Sequence, residues 1–109
     1  MNKQITEYLD RYPDDIRQLY ERLRQLIYAG SSCEPVETLW AKLPSYYVGD
    51  SFVRLIPFKD HINVEASAIL QHQAELTGYK VTPKGMLQIF LKQEIPEEIL
   101  TRIFKETLA

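Results

Sequence analysis

Apolar residues recur along this chain in two rhythms, and the rhythm changes near residue 36. In the first third they fall three and four apart. Ile5, Tyr8 and Leu9 make a short helical stripe. Tyr12-Pro13 ends it, because the residue before a proline is pushed out of helical geometry. Pro13-Asp14-Asp15 then opens a second helix: proline fits the first turn, and two carboxylates suit the positive end of the helix dipole. Ile16, Leu19, Tyr20, Leu23, Leu26 and Ile27 form its apolar face, with Arg17, Glu21, Arg22, Arg24 and Gln25 opposite. The spacing predicts a helix over 13–29, stopped by Ala29-Gly30-Ser31-Ser32.

Beyond residue 36 the period shortens. Val36 to Ala41 is a short β-branched and aromatic run that favours strand, although helix also fits its pattern. Leu43-Pro44-Ser45 breaks it, and Tyr46-Tyr47-Val48 is extended. After the turn residues Gly49-Asp50-Ser51 comes a strand at 52–58, with Pro57 marking an edge or a bulge. Lys59-Asp60 turns, and 61–65 alternates polar and apolar as a half-buried strand does. Ser67 to Leu76 is expected to be a helix capped by Ser67, 80–85 a loop and 86–91 a strand. Pro96, Glu97 and Glu98 open a closing helix with Ile99, Leu100, Ile103, Phe104 and Leu108 inward. This order predicts an α+β fold: one domain over 1–109, with a mostly antiparallel sheet of about four to five strands against helices on one face.

A chain of 109 residues is long enough for one real core. The net charge of −2 gives no electrostatic pull toward nucleic acid. No run approaches the ~20 apolar residues of a membrane span, and the amino terminus does not read as a signal peptide. Cys33 is the lone cysteine and cannot form an intramolecular disulfide, which fits a reducing compartment. A cytoplasmic domain is the expectation.

Candidate chemistry gathers in the middle of the chain. Lys59 and His61 share a face if both lie on a strand, and with Glu37, Trp40 and Tyr46 they are expected to line a polar pocket. Lys59 would hold an anion, His61 would exchange a hydrogen bond, and Trp40 with Tyr46 would supply the wall. The partner expected is a small anionic ligand or a protein. Glu7, Asp10 and Asp14 fall at i, i+3 and i+7 beside Asp15, an acidic ridge that is the alternative site for a hard cation; Glu94, Glu97 and Glu98 form a second acidic group. Two histidines and one cysteine lack zinc-finger spacing. No nucleophile motif is present: Cys33 adjoins Glu34, which disfavours a thiolate, and Pro83-Lys84-Gly85 is too short for a phosphate loop. A non-enzymatic domain without a resident cofactor is expected.

The motifs Ile5-Thr6-Glu7-Tyr8-Leu9 and Pro13-Asp14-Asp15-Ile16-Arg17-Gln18-Leu19 are followed by Glu37, Trp40, Pro44 and Tyr46 in an E-x2-W-x3-P-x-Y pattern. Phe58, Lys59, His61 and Ile62 match F-K-x-H-I, and Ile95, Pro96 and Ile99 follow a strand opened by Lys84-Gly85. In this combination the chain resembles the YdhG-like domain family, a bacterial family of unknown function. The resemblance covers nearly the whole chain. It implies a small two-layer, frataxin-like α+β domain. Some relatives are described as frataxin-like iron chaperones, which implies weak iron binding through surface carboxylates as an alternative activity. One departure is Ser32-Cys33-Glu34-Pro35, in which the proline the family usually places ahead of the Glu of its Glu…Trp motif is displaced.

Overall fold

A computed structural model describes residues 1–109. The chain runs α1 (Lys3–Leu9), α2 (Asp14–Gly30), β1 (Val36–Trp40), β2 (Leu43–Val48), β3 (Ser51–Pro57) and β4 (His61–Ala66). A 3-10 segment (Ser67–Glu75), β5 (Lys80–Val81), β6 (Leu87–Phe90) and α3 (Glu97–Thr107) complete it. The fold is α+β. The antiparallel sheet has six strands in the order β1-β2-β3-β4-β6-β5, one more than the sequence predicts. The addition is β5, which lies in the stretch expected to be loop and pairs Lys80 with Gln88 and Val81 with Leu87.

The helices cover one face. Ile16, Tyr20, Leu23 and Ile27 of α2 and Leu100, Ile103 and Phe104 of α3 are fully buried against Tyr46, Val53, Leu55, Ile62, Val64, Leu87 and Ile89 of the sheet. Each such side chain contributes roughly 1.5–3 kcal/mol over an exposed one. Gly30 belongs to the last turn of α2 rather than to the stop after it. A Cβ there would sit 2.7 Å from the Thr101 carbonyl oxygen, so glycine is what lets α2 and α3 approach.

Two expectations need correction. Leu43-Pro44-Ser45 does not break the chain; it starts β2. Pro44 lies opposite Leu39, and the β2–β3 register begins one residue later at Ser45–Arg54, so the missing N–H removes no bond from that ladder. Ser67–Glu75 is a 3-10 segment rather than an α-helix, and the Ser67 side chain does not cap it. Its apolar residues lack a 3.6-residue stripe: Ala68 and Ile69 are buried together, and Leu70 is exposed. His72 ties it to α3, bonding Glu75 through Nδ1 at 2.6 Å and Glu106 through Nε2 at 2.8 Å.

Candidate functional site

Strand alternation sends the five expected pocket residues to different places. Glu37 and Tyr46 are paired across β1 and β2 and point toward the helices. There they join a buried polar chain. Tyr46 O–H donates to Glu37 Oε2 at 2.8 Å, and Tyr20 O–H, 2.7 Å away, donates to the Tyr46 oxygen. Arg24 Nε donates to Glu37 Oε2 at 2.6 Å, and the Asn2 backbone N–H donates to Oε1 at 2.7 Å. Burial pushes the Glu37 carboxyl up, but the bonds from Arg24, Asn2 and Tyr46 outweigh it and hold the group below its ordinary value. Burial pushes both tyrosine hydroxyls well up, so both keep their protons. Every polar atom in this chain is matched, so it braces the structure and leaves no opening for a ligand.

Trp40 lies on the opposite, bare face of the sheet. That face has no helix over it and is instead sealed around Arg54, which is only 6% exposed. The Arg54 guanidinium carbon sits 4.0 Å from the Trp40 ring centre and 3.8 Å from that of Phe52. Its nitrogens donate to Ser45 Oγ at 3.1 Å, Tyr47 O–H at 2.9 Å and Glu65 Oε1 at 3.3 Å. Cation–π contact and three acceptors offset the cost of burying the charge.

His61 is on the same bare face but three strands from Trp40, roughly 14 Å across the sheet. Its ring is sandwiched between Phe58 at 4.5 Å and Phe90 at 4.6 Å, each stacked. Asp60 Oδ1 bonds Nδ1 at 2.7 Å, which leaves Nε2 without a partner in the chain. Lys59 stands exposed in the adjoining turn and enters no ion pair. One row below, Asn63 Oδ1 is the only buried side-chain polar atom without a hydrogen bond. The five residues therefore form no single pocket. Lys59 lies in the turn before β4 and so shares no strand face with His61, Trp40 belongs to the Arg54 cluster, and Glu37 with Tyr46 belongs to the core brace. Phe58, Asp60 and Phe90 were missed as site residues. The signal for Phe58 was its place beside Lys59, while Phe90 reaches His61 only through the β4–β6 register.

The acidic ridge does not converge either. Asp14 is bonded by Arg17 at 3.3 Å and Gln18 at 2.8 Å, Asp15 accepts the Ile16 N–H at 2.9 Å, and Asp10 caps the end of α1. Together with Glu7 they form no cation-binding group; nor does any other set of three or more His, Cys, Asp or Glu side chains. In the second acidic group Glu97 is held by Arg22 at 2.6 Å and 2.8 Å. No helix is long and apolar enough to cross a membrane. In comparisons with known proteins, no family model, no curated protein and no solved structure matches this chain.

Proposed function

We propose that the protein is a non-enzymatic binding module of the YdhG-like kind whose ligand is a small planar anion on the bare sheet face. One observation carries the reading: Phe58, the exposed end of the Phe58–His61–Phe90 stack, is followed directly by Lys59, an exposed cation without an ion pair. Phe58 is 43% exposed, so its outer ring face is open. A fourth ring extending the stack there gains about 0.5–1.5 kcal/mol beyond its area burial. A carboxylate or phosphate on that ring meets the Lys59 ammonium in a charge-assisted hydrogen bond. Asp60 bonds Nδ1 and fixes the His61 ring, so the Asp60–His61 pair orients the stack.

The test is an amide-shift titration with benzoate, using acetate as the control. Saturable shifts at Phe58, Lys59 and His61 with benzoate, and none with acetate, are expected. Equal responses to the two anions, or benzoate shifts confined to other residues, would overturn the reading.

A further inference from the structure

The β1–β2 hairpin turns in two residues, Ala41 and Lys42, between the paired Trp40 and Leu43. Both turn residues have positive φ, at 49° and 66°. Such a turn ordinarily takes Asn-Gly or Gly-Gly, since a side chain in left-handed geometry is strained. The β2–β3 turn of the same sheet does use glycine at positive φ, Gly49. Lys42 is therefore held where a glycine would be more stable, and strain of this kind persists at sites that need the side chain.

The side chain it provides lines a cleft of about 340 Å³ between α1 and the hairpin tip, with Gln4, Glu7, Tyr8, Arg11 and Leu39. Arg11 stacks over the Tyr8 ring, 4.8 Å from its centre. Neither Arg11 nor Lys42 forms an ion pair, even with Glu7, the one acid in the lining. Burial and the bond to Tyr12 push the Tyr8 hydroxyl up to about 12, so it keeps its proton and adds no negative charge to the cleft. Two unpaired cations, a phenol and an amide thus face one space against a single carboxylate. None of these residues belongs to the Phe58 stack.

We propose that this cleft is a second, separate binding site, for the oxyanion of a small phosphate- or carboxylate-bearing molecule, with Arg11 and Lys42 as its cationic ligands, Gln4 as a donor and the Tyr8 ring as the wall that holds Arg11. Inorganic phosphate is the probe, titrated at low ionic strength, where screening is weak, and followed by amide shifts. Saturable shifts at Tyr8, Arg11 and Lys42 are expected. Arg11→Gln should weaken the affinity about tenfold, the worth of roughly 1.4 kcal/mol, while Lys42→Arg keeps it. Lys42→Gly should lose binding and melt at a higher temperature than the parent. Phosphate shifts that fail to saturate, or that survive unchanged in both Arg11→Gln and Lys42→Gly, would overturn the site. A Lys42→Gly protein that melts lower would remove the strain argument behind it.

Discussion

Each side of the sheet holds an arginine, Arg24 of α2 half-buried on the helix side and Arg54 buried on the bare side, and the two are held in opposite ways. On the helix side Arg24 meets Glu37, a carboxylate only 8% exposed that also takes bonds from Asn2 and Tyr46. On the bare side Arg54 lies between the rings of Trp40 and Phe52, and its carboxylate partner Glu65 is 34% exposed. The first arrangement depends on a carboxylate that is largely withdrawn from water. The second depends on ring surface, and its partner can rehydrate. A buried ion pair fails badly when one member is lost, whereas a stacked cation is exchangeable for an apolar side chain of similar length. The helix side therefore holds the fold together, and the bare side is free to carry chemistry at its Phe58 end.

Methionine at each arginine separates the two cases most strongly. Arg24→Met leaves Glu37 buried without its cation and should cost about 3 kcal/mol in urea unfolding. Arg54→Met keeps the contact with Trp40 and Phe52 and should cost less than about 1 kcal/mol. Equal losses would erase the contrast.

Acid sharpens it next. The folded-state pKa of Glu37 lies below its ordinary value of 4.5. Its stabilisation is thus present above 4.5 and is lost as pH falls through the folded value. Glu37→Gln should be less stable than the parent near neutrality, and the gap should narrow on acidification below 4.5. A gap independent of pH would mean that the charge of Glu37 does no work.

The smallest effect belongs to His72, far from either arginine. Glu106 first and Glu75 second raise its pKa above 6.5, against a small opposing effect of burial and beside Arg102, which bonds Glu75 at 2.9 Å. A raised value means its stabilisation is complete below 6.5 and is lost as pH rises through the folded value. His72→Gln should lower the melting temperature slightly below pH 6.5 and leave it unchanged in alkali.

Much of the fold was legible because period carries it. The stripe from Ile16 to Ile27 could only be an amphipathic helix, and alternation from His61 to Glu65 could only be a half-buried strand. What failed was turn chemistry. Ala41-Lys42 has no residue that advertises a tight hairpin, so Pro44 read as the break. The two-residue β5 is too short to show a period. The candidate site is less legible: spacing and motif single out Lys59, His61 and Glu37, but strand pairing decides which face each residue meets, and it sends Glu37 to the core. Glu37 points toward α2 while Trp40, three residues on, points away, and alternation fixes that only once the strand is certain. Asp14 and Asp15 suit a metal site and the first turn of a helix equally well by sequence, and they stand in the first turn of α2.

A benzoate titration of Tyr46→Phe beside Phe58→Ala tests most directly whether the helix-side face braces the fold while the bare face binds the anion proposed for it. Tyr46→Phe removes a hydroxyl from the helix-side chain and should bind benzoate as the parent does. Phe58→Ala removes the open end of the ring stack and should abolish the saturable shifts at Lys59 and His61. Binding retained in Phe58→Ala, or lost in a folded Tyr46→Phe, would contradict the division of the two faces.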